Sequence, residues 1–119
     1  MPTLELGRIV WAELPSSDGS KTKRRPAVIV TFTEEITADD PSFLVVAATT
    51  KFSEPLPDDH VLLPWHPQGS VRTQLRHPTA AVCRWIFEIR ESDVLRYGGV
   101  VPPKAMLEIA RIVEGKASN

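Results

Sequence analysis

At 119 residues, 42% of them hydrophobic, the chain can bury a real core and fits a single domain over 1–119, with no room for a separate second one. A formal net charge of −1 argues against a protein that coats nucleic acid by overall charge, but not against a local basic face. The one cysteine, Cys83, can form neither an internal disulfide nor a thiolate zinc site.

The start, MPTLELGR, has no apolar core behind a basic head, so no secretory signal is expected. No stretch approaches the ~20 apolar residues of a membrane span. A reducing cytoplasm is the expected location. Eleven prolines and six glycines predict short elements with many turns.

Gly7 to Leu14 alternates as a half-buried strand does. Pro15 to Ser20 is turn chemistry, and the cations Lys21, Lys23, Arg24 and Arg25 continue that loop. Ala27 to Thr33 is apolar and β-branched and reads as a central strand with Pro26 at its entrance. Glu34 to Pro41 is acidic and turn-rich. Ser42 to Thr49 is a third strand, and Pro55 to Asp59 a loop. His60 to Trp65 is a short fourth strand, and residues 66–79 are irregular. Ala80 to Ile89 is a fifth strand, apolar on much of both faces. Ser92 to Tyr97 reads as a helical turn stopped by Gly98-Gly99, and Val100-Val101 as a possible short strand. Pro102 and Pro103 open a helix, where a missing N–H costs nothing. Met106, Ile109, Ala110 and Val113 form its apolar stripe, and Lys104, Glu108, Arg111 and Glu114 face water. Gly115 onward is expected to fray. Five strands and one helix make a small antiparallel barrel or open sheet with a helix packed on it.

Among the chemical candidates, the basic loop stands out. Arg25 adjoins a proline and a strand, so its backbone is held. A held guanidinium presents a planar fork to a phosphate, which flexible lysines do less well. Thr49-Thr50-Lys51 ends the third strand, where a hydroxyl ordinarily caps a turn. Beside an arginine it can donate to a non-bridging phosphate oxygen. His60, His66 and His77 are widely spaced and give no metal signature. Asp39-Asp40 and Asp58-Asp59 read as solvated turn residues. Cys83, Trp11 and Trp85 read as packing. No phosphate-binding glycine loop and no nucleophile elbow is present.

The opening "GRIVWAELPSSDGSKTKRRPAVIV" resembles the start of the MazF/PemK (Kid)-type toxins of toxin–antitoxin modules. The matching residues are Gly7, Ile9, Val10 and Trp11, then Arg25, Pro26 and Ala27. "VVAATTKF", "PTAAVCRWIFEI" and "GGVVPPKAMLEIARIV" follow in the family's order, while 52–75 is hardly diagnostic. The resemblance implies a mainly β fold with a C-terminal helix, a small SH3-like antiparallel barrel of the CcdB/MazF/PemK type, working as a homodimer. It implies a metal-independent, cofactor-free endoribonuclease, in which a 2′-hydroxyl attacks the adjacent phosphate of single-stranded RNA. The products are 2′,3′-cyclic phosphate and 5′-hydroxyl ends.

On this resemblance Arg25 and Thr49 take the catalytic positions. Lys21, Lys23, Arg24, Thr50, Lys51 and Arg84 are the expected RNA-binding residues. A cognate antitoxin is the expected partner. Some members carry Arg-x-Asp on the fifth strand; here Val82 stands at the arginine and Arg84 at the aspartate, so that carboxylate is missing. Two other readings share the fold: a non-catalytic CcdB-like toxin that binds a gyrase-type protein target, and a nucleic-acid-binding module.

Overall fold

The strand β1 (Arg8–Pro15) alternates Ile9 to one side and Val10, Ala12 and Leu14 to the other, and all four side chains are buried. Both faces of a sheet built from such strands are apolar and both need cover. The computed structural model describes residues 3–15, 21–36 and 39–117. Most of the predicted turn, 16–20, the end of the predicted tail, 118–119, and part of the acidic turn, 37–38, lie outside them.

The remaining elements are β2 (Thr22–Ile29), β3 (Ser42–Thr49), β4 (His60–Leu63), β5 (Thr79–Arg90), β6 (Arg96–Val100) and α1 (Pro103–Ala117). A 3-10 turn covers Thr33–Glu35 and another Glu91–Asp93. The six strands form one sheet in the order β4-β5-β3-β2-β1-β6, every neighbour antiparallel. With the C-terminal helix this is a mainly antiparallel half-barrel, as the sequence predicts.

Four details differ from the sequence reading. β2 ends at Ile29, short of the expected Thr33, and begins at Thr22, taking in Lys23, Arg24 and Arg25, which the residue pattern assigned to a loop, and Pro26, expected at the entrance. Those residues pair with β1, from Pro15↔Thr22 to Trp11↔Pro26, whereas pairing with β3 starts only at Ala27↔Ala47. Pro26 therefore stands in a stretch bordered by one strand, where a proline is tolerated. The helical turn comes earlier, at Glu91–Asp93, and Gly98-Gly99 lie inside a sixth strand. The fourth strand ends at Leu63, before Pro64. Finally, α1 runs through Gly115 to Ala117.

The sheet separates two apolar layers. The first holds Ile9, Val28, Val46, Ala48, Val61, Leu63, Cys83 and Val101, and α1 covers it through buried Ile109 with Met106 and Val113 beside it. The second holds Val10, Ala12, Leu14, Ala27, Ile29, Phe43, Val45, Ala47 and Ile89, edged by half-buried Trp85, Phe87 and Tyr97. β5 changes sides between them. Ala81 and Cys83 belong to the first layer, Trp85, Phe87 and Ile89 to the second. The cause is a large bulge: from the Val46↔Ile86 pair to the Ala48↔Ala81 pair, β3 advances two residues and β5 five. Bulges re-aim side chains in this way. No helix among the described residues is long and apolar enough to cross a membrane.

Candidate active site

The β2–β3 register carries Ala27 opposite Ala47 and Ile29 opposite Val45. Carried one same-face step past the last ladder pair, that register leads to Arg25 and Thr49, which line one groove. Here the two strands no longer bond to each other, and the bulged part of β5 passes alongside. The result is an open groove of about 220 Å³ lined by Arg25, Thr49, Lys51, His60, Val82, Arg84 and Trp85.

Arg25 is held twice. Its guanidinium lies over the Trp85 ring, 5.0 Å from the centroid, a cation–π contact that orients the charge. Its Nε also donates a long hydrogen bond, 3.4 Å, to the Leu14 carbonyl. Thr49 is fixed by the turn it begins: its Oγ1 accepts from the Lys51 N–H at 3.1 Å and donates to the Lys51 carbonyl at 3.2 Å. That is the hydroxyl turn typical of a strand end.

Arg84 projects from the bulge and remains largely exposed, with its Nη1 on Oδ2 of Asp59. The other Asp59 oxygen, Oδ1, lies 2.7 Å from Nδ1 of His60. These neighbours overturn one expectation. Asp59 is no solvated turn residue, since its side chain is only 16% exposed. β5 still lacks the carboxylate that some family members carry, and Asp59 stands on a different segment, in contact with Arg84 and His60. Burial pushes the Asp59 carboxyl up, but hydrogen bonds from Arg84 and His60, with the charges of both, outweigh it and hold the group below its ordinary value. His60 opens β4 opposite Val82, with its backbone N–H on the Pro57 carbonyl at 3.0 Å. The Cys83 N–H donates to the Asp59 carbonyl at 2.7 Å. Trp85, Asp59 and His60 are the residues that sequence reasoning passed over. Only the adjacency of Asp59 to His60 could have signalled them.

The other predicted residues spread outward. Lys51 joins the groove. Thr50 turns to a separate cavity of about 400 Å³, which also touches Trp11, Pro26, Arg76 and His77. Lys21, Lys23 and Arg24 are exposed at the outer end of β2, Arg24 opposite Glu13 in the ladder. A further apolar cavity of about 550 Å³ at α1, with Met106, Leu107 and Phe32 in its walls, contains none of the predicted site residues. Cys83 is buried and packs as expected. Among the described residues no group of three or more His, Cys, Asp or Glu side chains is placed to hold a metal ion.

A six-stranded antiparallel half-barrel closed by a C-terminal helix is the fold of the MazF toxins. MazF from Deinococcus radiodurans superposes with a TM-score of 0.72 at 15% identity, over 100% of both chains. Mycobacterium tuberculosis toxin MazF-mt6 gives 0.69 at 20% identity, covering 93% of this chain and 96% of that one. An endoribonuclease in complex with its cognate antitoxin, from a mycobacterial species, gives 0.71 at 14% identity, with 98% and 96% covered. Residues 5–114 match the family described as PemK-like, MazF-like toxin of type II toxin-antitoxin system. The chain belongs to that family. No curated protein sequence matches it.

Proposed function

We propose that this chain is an endoribonuclease toxin that cleaves single-stranded RNA without a metal ion, leaving 2′,3′-cyclic phosphate and 5′-hydroxyl ends. The carrying observation is that Arg25 and Thr49, from two different strands, line one solvent-open groove together with Arg84 and Lys51. In-line attack of a 2′-oxygen on phosphorus builds negative charge on the non-bridging oxygens. A guanidinium already oriented by Trp85 meets that charge without reorganising at the moment of reaction. The Thr49 hydroxyl would exchange its bond to the Lys51 carbonyl for one to a non-bridging oxygen. Arg84 and Lys51 would hold flanking phosphates, and Thr50 would meet a neighbouring nucleotide in the adjoining cavity. Lys21, Lys23 and Arg24 would supply attraction along the approach.

A homodimer, a cognate antitoxin and a cytoplasmic setting belong to the same reading. Phe32 and Leu107, more than half exposed in the walls of the apolar cavity at α1, support a protein partner there. Light scattering should give twice the chain mass, and a monomer would remove the dimer from the proposal.

The test of the chemistry is single-stranded RNA incubated with purified protein in EDTA, with both new ends mapped. Cyclic phosphate ends that disappear with Arg25→Ala are the expected result. That substitution should slow cleavage by ~10²–10³-fold, as for other preorganised charge-stabilising donors. Salt-sensitive binding of RNA without cuts would instead make the chain a nucleic-acid-binding module.

A further inference from the structure

We infer that His60, held by Asp59, is the general base of this groove, taking the proton of the attacking 2′-hydroxyl, with Asp59 as its positioning residue. The inference rests on the ribonuclease reading above.

The geometry comes first. His60 and Asp59 are fixed by backbone bonds to Pro57 and Cys83, at the start of the short strand beside the bulge. Asp59 divides its two oxygens between Arg84 and His60 Nδ1. An ionised carboxylate can only accept, so Nδ1 carries a hydrogen, and in the neutral form of the ring the lone pair lies on Nε2. Nε2 has no hydrogen-bond partner among the described residues. No buried side-chain nitrogen or oxygen among them is left unpaired. Nε2 is therefore not sealed off, and His60 is one of the residues lining the groove whose other walls carry Arg25 and Thr49. Carboxylate, imidazole and reacting hydroxyl then stand in the order that orients a histidine base.

The step balances simply. The 2′-oxygen bonds to phosphorus as its proton passes to Nε2. The P–O5′ bond breaks, its electron pair stays on O5′, and that oxygen takes a proton from water. The charged groups around the ring are Asp59 from its own turn, in contact with Nδ1, and Arg84 from β5, Arg25 from β2 and Lys51 after β3, which line the same groove.

The experiment measures cleavage of a short single-stranded RNA across pH, beside binding of the same oligonucleotide made uncleavable by 2′-deoxy substitution. His60→Gln should lower kcat by ~10²-fold or more, leave the affinity for the deoxy oligonucleotide unchanged, and remove the acidic limb of the pH–rate profile. Added imidazole should restore part of the activity of His60→Ala. Asp59→Asn should reduce kcat less than His60→Gln while keeping the limb. A His60→Gln protein with wild-type rate and pH profile overturns the inference, as does one whose rate and binding fall in step. Full rescue of His60→Gln by a 5′-bridging phosphorothiolate, whose leaving group needs no proton, would also overturn it by making the ring an acid. If wild-type protein leaves the RNA intact, the ribonuclease reading fails; if it cuts and the His60 variants cut equally well, only this inference does.

Discussion

The two apolar layers of the sheet are built alike and finished differently. On one side Val28, Val46, Ala81 and Cys83 are sealed by α1, whose Ile109 is fully buried. On the other, Ala27, Ala47 and Val45 grade into half-buried Trp85 and Phe87, and then into the groove with Arg25 and Thr49. The sealed layer has only to exclude water. The open layer ends where the β2–β3 ladder stops, and its last side chains become polar at the point where backbone pairing no longer fills the space. A continuous core on one face thus provides the rigidity for an interrupted one on the other. The comparison predicts that damage to the first layer costs stability, whereas damage at the rim of the second costs chemistry.

The sharpest way to break that division is a cavity in the sealed layer. Ile109→Ala should lower the unfolding free energy by about 2–5 kcal/mol, read by urea denaturation. RNA cleavage per folded molecule should stay close to wild type well below the melting temperature; a matching loss of specific activity would mean the layers are not separable. Arg25→Ala is the reverse case, with a large loss of rate and little change in the urea midpoint.

A smaller effect should appear with pH. Asp59 titrates below its ordinary value of 3.8 in the folded chain. A lowered carboxylate stabilises the fold above its unfolded pKa, and that contribution is lost as pH falls through the folded value. The stability difference between wild type and Asp59→Asn should therefore hold from neutral pH down to about the ordinary carboxylate value and close progressively below it. Urea midpoints of both proteins, taken across the acid range, check this. A gap that stays constant to the lowest pH would show that the Arg84–Asp59–His60 cluster adds nothing ionisation-dependent. The smallest effect belongs to the approach. Lys23→Ala should weaken RNA binding modestly and reduce the slope of log affinity against log salt by about one, leaving kcat unaffected.

Local pattern made the strand cores legible. β-Branched runs at 27–30 and 43–46 and the i, i+3, i+4, i+7 stripe of α1 depend only on neighbours along the chain. What the sequence hid depends on contacts between distant segments. The basic run at 23–25 looks like loop because it offers no apolar residue, yet pairing with β1 alone makes it strand. Gly98-Gly99 looks like a helix stop. In the structure a Cβ on Gly99 would sit 1.8 Å from the Arg72 carbonyl oxygen. The segment before β5 crosses β6 that closely because it receives the N–H groups of Gly99 and Val100 at the Thr73 and Arg72 carbonyls. The meeting of Arg25 with Thr49 needs the β2–β3 register, and no single strand carries that information. Asp59 and His60 look ordinary in the sequence for the same reason. Their significance comes from Arg84, 25 residues away along the chain.

The stacking of Arg25 on Trp85 gives the molecule a built-in optical gauge. A guanidinium 5.0 Å from an indole perturbs its excited state, and an oligonucleotide that draws the cation away or lies against the ring would alter the emission. Trp11 and Trp65 would form a background removable by substitution to phenylalanine. Occupancy of the groove could then be followed in real time on unlabelled protein, and separately from cutting.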